Sequence, residues 1–310
     1  MRLVRTLDSF PFDLVADGSA ATIGSFDGLH LGHQKLLGRV LDHAGKNSIP
    51  SIVMSFEPTP KEFFAQDEPP ARLMRFREKF EALADYGVDI FYCPRFDEAM
   101  KNISADTFIR RILIHALNID HLVIGDDFRF AQDRAGHLAT LQRAGKALEF
   151  TVEEVSSVIV DGVRVSSTAI REALWQGDLQ RARRLLDKDY RMSGRVIEGN
   201  RMGRKLGYPT ANVNLNRLQS AVMGIFAVRV SGKGWGPLDA VASVGTRPTF
   251  AGTKPLLEVH IFDFDRDIYG EYIHVDFIAR LRNEEKFDDV KDLVEQMDRD
   301  SALAREILAA

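Results

Sequence analysis

The chain has 310 residues, of which 45% are hydrophobic and 28% charged, values typical of a folded protein with more than one average domain. Its net charge of −4 gives no overall basic field, so we expect no nucleic-acid partner. The single cysteine, Cys93, excludes an intrachain disulfide. No window approaches the run of about 20 apolar residues that spans a bilayer, and no signal peptide is recognisable. These features predict a cytoplasmic protein with no membrane partner, and they leave weak self-association open.

Short apolar runs alternate with longer helical periodicities from Ala20 to about Leu186. The runs predicted as strands are ATIG, SIVMSF, DIFYC, HLVIG and EFTVEEV. Between them, HQKLLGRVLDHAG, RFREKFEALADYG and ADTFIRRILIHAL have helical spacing. This alternation predicts βαβ units and a mostly parallel sheet covered on both faces, an α/β domain over residues 1–186.

The pattern changes after STAIREALWQGDLQRARRLL. Helical periodicity gives way to RMSGRVIEG, GIFAVRV, LDAVASV, LLEVHIF and EYIHVDFIA, which mostly alternate and are separated by Gly, Pro, Asn and Asp. Such spacing favours a small antiparallel β-barrel, and the tail from Phe287 returns to helical spacing. The sequence therefore predicts a second, mainly β domain over residues 187–310.

The stretch GSFDGLHLGH, residues 24–33, joins a predicted strand to a predicted helix that begins near His33. A helix N-terminus favours an anion, and glycines let the backbone approach a triphosphate. His30 and His33 can both face that phosphate and donate hydrogen bonds as negative charge builds up. A glycine-rich turn with surface histidines is the alternative interpretation.

Two later stretches favour the phosphate interpretation. VIGDDFRFAQDRAGH puts Asp126, Asp127 and Arg129 in one loop after a strand, and VSSTAIRE presents Ser166–Thr168 one turn before Arg171. Taken by themselves, Ser166–Thr168 are better explained as a helix N-cap. Because sites in parallel sheets form beyond the carboxyl ends of strands, the three segments are expected to converge.

A second cluster lies in GRVIEGNRMGRKLGYPTANVNL, within the predicted barrel. Glycines keep the loop open and Pro209 stiffens its end, so Thr210 and Asn212 can reach a magnesium ion and phosphate oxygens. A barrel hairpin with turn-forming glycines is the alternative. Glu258 lies in an apolar, alternating strand, where a carboxylate is either paired structurally or kept for proton abstraction.

The first set of motifs resembles the HxGH-type nucleotidyltransferases and, with GDDFRF, their FMN adenylyltransferase branch. The resemblance implies a Rossmann-like domain in which ATP gives AMP to FMN and pyrophosphate leaves. It implies that His30 and His33 contact the ATP phosphates and that Asp127 lies near the flavin phosphate or the nucleotide. It places Ser166, Thr168 and Arg171 at the end of ATP that leaves as pyrophosphate. The other nucleotide-binding residues it implies are Gly24, Phe26, Asp27, Gly28, Gly32 and Ser167. Ser25 stands where that family more often has Asn.

PTAN and the strand glutamate resemble riboflavin kinase. The resemblance assigns Thr210 and Asn212 to Mg²⁺ and the phosphates, and Glu258 to the 5′-hydroxyl of riboflavin as its base. The remaining nucleotide-binding residues it implies are Gly199, Gly203, Lys205, Gly207 and Pro209. Ser243 stands where that family usually has Asn, so Ser243 is not included in the predicted site.

Together the motifs cover the whole chain and resemble the bifunctional prokaryotic riboflavin kinase/FMN adenylyltransferase family. Membership implies riboflavin, FMN and ATP as substrates, FAD as product and Mg²⁺ as cofactor. One alternative is a single-function adenylyl- or cytidylyltransferase with a barrel appendage, which PTAN and Glu258 disfavour. Another is a flavin-binding sensor without catalysis, which the intact histidines, Thr210, Asn212 and Glu258 disfavour.

Overall fold

A computed structural model of the chain describes residues 1–65, 68–199, 203, 206–249 and 252–310. The chain divides into two compact units. The first comprises Met1–Pro70 and Met74–Val165, and the second comprises Ala71–Leu73 and Ser166–Ala310.

The first unit contains a six-stranded sheet and a small hairpin. Its strands are β1 (Arg2–Val4), β2 (Ser19–Ile23), β3 (Ser51–Met54), β4 (Ile90–Tyr92), β5 (Ile119–Gly125) and β6 (Thr151–Val155), with the hairpin β7 (Ile159–Val160) and β8 (Val163–Arg164). Its helices are α1 (Leu31–Asn47), α2 (Pro60–Phe64), α3 (Phe76–Asp85), α4 (Glu98–Lys101), α5 (Ala105–Thr107), which continues as a π-helix over Phe108–Ala116, and α6 (Leu138–Leu148). Short 3₁₀ turns cover Leu7–Ser9, Phe12–Val15 and Gln132–Arg134.

Every pairing in the six-stranded sheet is parallel, and the strand order is β1-β4-β3-β2-β5-β6. The predicted parallel α/β domain is confirmed. The edge strand β1 was not predicted, because three residues that begin with an arginine give too short a hydrophobic pattern. β2 and β3 are fully buried, as strands covered on both faces must be.

The second unit begins with two helices, α7 (Ser167–Gln176) and α8 (Leu179–Leu186). Its strands are β9 (Tyr190–Ile197), β10 (Ala211–Asn214), β11 (Gly224–Gly232), β12 (Trp235–Thr249), β13 (Gly252–Ile261) and β14 (Tyr272–Arg282), and they close a barrel in the order β10-β13-β12-β11-β14-β9. All of its pairings are antiparallel. The C-terminal helix α9 (Val290–Ala309) packs on β11, β12 and β14. The predicted barrel with a terminal helix is confirmed.

The helices α7 and α8 belong to the second compact unit, although they precede the domain boundary expected at Asp187. Residues Gly177 and Asp178 separate them, with Gly177 in the left-handed region at φ 78° and Asp178 capping α8. The boundary at Asp187 stays a prediction. Within the described residues, no helix is both long enough and apolar enough to cross a membrane.

Candidate active sites

The first candidate site lies at the carboxyl ends of β2 and β5, which are hydrogen-bonded neighbours. From β2 the chain continues along the sheet through β3 and β4, whereas β5 and β6 lie on its other side. Sheets of this kind bind ligands at such a reversal of strand order. The segment Gly24–His33 leaves the end of β2, and Asp126 and Asp127 leave the end of β5. The fold therefore brings both predicted segments to one edge.

The two histidines of the HxGH segment form a stacked pair. Their ring centroids are 3.7 Å apart, with the planes inclined by 15°. The backbone N–H of His33 donates to Nδ1 of His30 at 3.3 Å, so His30 is the N-cap of α1 and the helix begins at Leu31. Because Nδ1 accepts this bond, the proton of a neutral His30 ring is on Nε2. His30 can therefore offer Nε2–H to an acceptor.

His33 lies deeper than its partner. It is only 9% exposed, its ring is 4.9 Å from the ring of Phe26, and its Nδ1 has no hydrogen-bond partner within the described residues. Burial, reinforced by the nearby charges of His30 and Lys79, holds the pKa of His33 well below its ordinary value. His33 is thus a neutral imidazole at physiological pH, with one ring nitrogen left over for a ligand.

The backbone around the histidines is held by its own contacts. The amide of Gly24 donates to the carbonyl of Met54 at 3.1 Å, and the carboxylate of Asp27 accepts from the amide of Met74 at 2.8 Å. Gly28 has φ 96°, which favours glycine. A Cβ on Gly32 would lie 3.3 Å from the His30 ring. Asp27 and the glycines therefore shape the turn that presents His30 and His33.

The two aspartates after β5 make different contacts. Asp126 accepts from the amide and hydroxyl of Ser157, at 2.9 and 2.7 Å, and these bonds with the Arg164 charge lower its pKa. Asp127 forms an ion pair with Arg164 at 2.8 Å. Arg164 was missed by the sequence reasoning, although its position two residues before Ser166 was a usable signal. Asp126 links the loop after β5 to Ser157, which follows β6. The side chain of Asp127 is more exposed than that of Asp126.

The predicted hydroxyl cluster belongs to the second compact unit. Ser166 is the N-cap of α7, accepting from the amide of Ala169 at 3.2 Å. Arg171 donates from Nε to the carbonyl of Ala71 at 2.5 Å, and Thr168 is exposed. The N-cap interpretation is therefore correct for Ser166. A convergence of Ser166, Ser167, Thr168 and Arg171 with the histidines stays a prediction.

The second candidate site is built on three neighbouring barrel strands. Asn212 of β10 lies directly opposite Glu258 of β13, and Ser243 of β12 lies opposite Glu258 on the other side. Glu258 alternates with Leu257 and Val259, which are 0% and 1% exposed, so its side chain is on the other face of the strand. The register thus places an amide, a carboxylate and a hydroxyl in one row.

Glycines make room for the PTAN side chains. A Cβ on Gly199 would lie 2.3 Å from Nδ2 of Asn212, and one on Gly203 would lie 2.3 Å from the carbonyl oxygen of Tyr208. Gly207 adopts φ 85° and meets nothing there. Nδ1 of His260 donates to the carbonyl of Pro209 at 2.9 Å and ties the segment to β13. Lys205, the remaining predicted residue of this loop, lies outside the described residues.

A cavity of about 430 Å³ opens beside this row. Thr210, Asn212 and Glu258 line it, as do Ser243 and residues of α9 such as Leu293 and Met297. Its lining combines apolar side chains with polar and charged ones that converge on it, as expected of a small-molecule site. The cavity brings together the predicted PTAN residues and the predicted glutamate.

Glu284 is a further carboxylate of this cavity that the sequence reasoning did not name. The hydroxyl of Ser243 lies 3.5 Å from Oε1 of Glu284, and burial raises the pKa of Glu284. A Cβ on Gly245 would lie 2.1 Å from that oxygen. Glu284 follows the barrel in the charged run NEEK; the sequence predicts that RLRNEEKF covers the flavin but does not show which of its side chains touches it.

Comparison with known proteins matches each part of the chain to a family. The FAD synthetase family matches residues 14–169, and the riboflavin kinase family matches residues 186–308. The bifunctional riboflavin kinase/FMN adenylyltransferase of Haemophilus influenzae is 44% identical over 305 residues, covering 98% of both chains. The protein of the same name from Escherichia coli K12 is 43% identical over 306 residues, covering 99% of this chain and 97% of that one.

A solved structure has the same fold over nearly the whole length. It is described as a macrolide-efflux protein from Streptococcus pneumoniae, is 31% identical, covers 98% of both chains and has a TM-score of 0.81. Its efflux description is a statement about that protein alone. The family matches and the curated relatives agree on two transferase activities that lead to FAD. The chain therefore belongs to the bifunctional riboflavin kinase/FMN adenylyltransferase family and is an enzyme with both activities.

Proposed function

We propose that separate sets of residues carry the two reactions: the Gly24–His33 segment with Asp127 for adenylyl transfer, and Thr210, Asn212 and Glu258 for riboflavin phosphorylation. One observation carries the division. Asn212 and Glu258 face each other across a strand pair at a cavity of about 430 Å³ within the second compact unit, while both histidines belong to the first. The histidines and the kinase side chains thus lie in different units, and the residues 166–171 proposed for adenylyl transfer belong to the second.

In the adenylyl-transfer site, hydrogen-bond donors and the N-terminus of α1 stabilise negative charge on the ATP phosphates. The amides at the start of α1 favour the ATP phosphates, and His30 donates to the leaving pyrophosphate as negative charge moves onto it. The unpaired Nδ1 of His33 supports a ligand contact by the neighbouring ring. Asp127 acts near the FMN phosphate or the nucleotide. Ser166, Ser167, Thr168 and Arg171 hold the leaving end, with Phe26, Asp27 and the glycines Gly24, Gly28 and Gly32 shaping the nucleotide pocket.

In the kinase site, Glu258 takes the proton of the riboflavin 5′-hydroxyl as that oxygen attacks the γ-phosphorus of ATP, the bond to the β–γ bridging oxygen breaks, and ADP leaves. Its place beside Asn212 supports this role, since the phosphate acceptor and the phosphate must meet there. Gly199, Gly203, Gly207 and Pro209 shape the loop that carries Thr210 and Asn212 to the nucleotide, and Lys205 adds a cation. The cavity takes the flavin.

Mg²⁺ fits the residues at this site. Thr210 and Asn212 offer neutral oxygens, and the glycine at 199 leaves the Asn212 amide room that a Cβ would fill. Within the described ranges, no group of three or more His, Cys, Asp and Glu could hold a metal on its own. Mg²⁺ usually binds few protein ligands together with substrate phosphates and water. The Thr210 hydroxyl and the Asn212 amide oxygen fit that kind of coordination. When bound, the ion supplies neutralisation of the phosphate charge.

The same enzyme provides both assays that test the assignment. His30→Ala and His33→Ala are expected to lower FAD formation from FMN by about 10²–10³-fold and to leave riboflavin phosphorylation intact. Glu258→Gln is expected to lower riboflavin phosphorylation by about 10²–10⁴-fold while FAD formation from added FMN stays normal. Chromatography of riboflavin, FMN and FAD after incubation with ATP and Mg²⁺ measures both.

Two variants serve as matched controls. His43→Ala removes an imidazole from the same helix, where it pairs with Asp120 away from the HxGH turn. Glu295→Gln removes an exposed carboxylate from α9. Both are expected to keep both rates. Normal FAD production by the His30→Ala/His33→Ala double variant would refute the first assignment, and a near-normal kinase rate in Glu258→Gln would refute the second.

We also propose that the enzyme acts in the cytoplasm on small molecules, without a nucleic-acid or membrane partner. Its one cysteine, Cys93, is a buried free thiol, which suits a reducing compartment. The net charge of −4 disfavours a polyanionic partner. Cell fractionation with an antibody against the chain tests the compartment.

A further inference from the structure

A lysine is buried in the first unit, beside the segment that carries the histidines. Lys79, on α3, is 3% exposed. Its ammonium donates to the carbonyl oxygen of Ser25 at 2.5 Å and lies 3.5 Å from the hydroxyl of Ser55. Burying an ammonium is costly, and an apolar side chain would fill the same helix face without that cost. A buried lysine here therefore calls for a role beyond packing.

The carbonyl that Lys79 holds is at the start of the strained part of the turn. Ser25 follows Gly24 at the end of β2, and the next residue, Phe26, has φ 47°, with Leu29 at φ 45°. Residues other than glycine adopt such angles only where surrounding contacts hold them. The hydroxyl of Ser55 also donates to the Ser25 carbonyl, at 3.3 Å. Two side chains thus fix the peptide that precedes Phe26.

Phe26 connects this anchor to the histidines. It is fully buried, and its ring lies 4.9 Å from the ring of His33, which in turn stacks on His30. A shift of the Ser25 peptide would move Phe26, and with it the surface on which the His33 ring rests. Close packing transmits such a shift because the interior has no slack to absorb it.

We propose that Lys79 is a positioning residue for adenylyl transfer, holding the Ser25 carbonyl so that Phe26 and the stacked histidines keep their places. The proposal rests on the function proposed above for His30 and His33. Lys79 acts through the turn and not through contact with the reacting atoms. Nothing in the HxGH motif points to it, since it comes from a different helix 46 residues beyond His33 in the sequence.

The charge of Lys79 gives an independent readout. After burial itself, the two influences that lower the pKa of His33 are the charges of His30 and Lys79. Replacing Lys79 by a neutral side chain removes one of them, so the pKa of His33 should rise. This rise reports that the Lys79 charge acts on His33, while a fall in kcat with little change in KM reports the positioning role.

The test compares Lys79→Met with Lys46→Met in the full-length enzyme. Methionine keeps the length of the side chain and removes the charge and the hydrogen bond, and Lys46 is exposed near the end of α1. For Lys79→Met we expect kcat for FAD formation to fall by about 10–100-fold, with a smaller change in KM for FMN. Riboflavin phosphorylation should be unchanged, and the pKa of His33, followed by NMR of its imidazole, should rise. Lys46→Met should match the parent enzyme in all four measurements.

An unchanged kcat for FAD formation in Lys79→Met would overturn the proposal. If that variant does not fold, Ser55→Ala decides, because it removes the second support of the Ser25 carbonyl with little loss of volume. A severalfold lower kcat in Ser55→Ala would support the proposal, and a parental kcat would overturn it. The function of the histidines is tested separately: full FAD formation in His30→Ala/His33→Ala would refute that function, whatever Lys79→Met does.

Discussion

Gly199→Ala replaces one hydrogen atom of the kinase loop by a methyl group, and that methyl group would clash with the side chain of Asn212. The added Cβ would lie 2.3 Å from Nδ2, 2.6 Å from Cγ and 2.7 Å from Oδ1 of Asn212. Gly199 is outside the left-handed region, so its backbone accepts alanine without strain. The whole effect of the substitution is therefore exerted on the Asn212 side chain.

The size of the effect follows from the displacement. Ordinary Cβ contacts begin at about 3.4 Å, so the amide of Asn212 must retreat by roughly 1 Å, a misplacement that can cost about 10²-fold in rate. A 10²-fold loss corresponds to about 2.7 kcal/mol of transition-state stabilisation. Asn212 is 7% exposed and pairs with Ile197 and Glu258 in the ladder, so it has little free space into which to move.

Riboflavin phosphorylation and FAD formation from added FMN, measured on the same Gly199→Ala sample, separate this effect from general damage. We expect the first rate to fall about 10²-fold and the second to be unchanged. Gly234→Ala is the control: it lies in the β11–β12 turn at φ 78° with nothing near its Cβ, so it should lower the melting temperature and keep the kinase rate. A parental kinase rate in Gly199→Ala would show that phosphorylation does not need the Asn212 amide where the structure places it.

Thr210→Val removes a hydroxyl at similar volume, so we expect a higher Mg²⁺ concentration for half-maximal kinase rate; an unchanged Mg²⁺ dependence with a lower melting temperature would make Thr210 structural. A fragment of residues 187–310 is expected to phosphorylate riboflavin. It should melt below a 166–310 fragment, because α8 packs on β9 and β14 and buries Leu185 and Leu186. A folded 187–310 fragment without kinase activity would show that the site needs residues that precede Asp187.

The elements that the sequence predicted are those whose hydrophobic pattern is long. The five predicted strands of the parallel sheet and the helix over HQKLLGRVLDHAG were found because tertiary burial and local periodicity agree there. β1 and β10 were missed, since three residues and the polar alternation ANVN carry too little pattern. Tertiary pairing forms them instead: β1 pairs with β4, and β10 pairs with β9 and β13.

The residues of the sites divide in the same way. His30, Asn212 and Glu258 belong to short motifs whose spacing is visible in one stretch of chain. The facing of Asn212 and Glu258 was not visible, because it depends on the β10–β13 register of residues 46 apart in sequence. Lys79 was not predicted for another reason: a lysine in an amphipathic helix is expected to face solvent, and only the fold shows it to be 3% exposed.

The two reactions also account for the proposed roles, imidazoles in one site and a carboxylate in the other. The nucleophile of adenylyl transfer is a phosphate oxygen of FMN, which is already ionised at neutral pH and needs no base. The site proposed for it therefore needs only donors, and the pKa of His33, lowered by burial, suits a ring that acts as a neutral imidazole. The nucleophile of the kinase is a hydroxyl, whose proton must leave as the bond forms, so a proton acceptor is required. Glu258, opposite Asn212 in the β10–β13 ladder, is the carboxylate proposed above for that task.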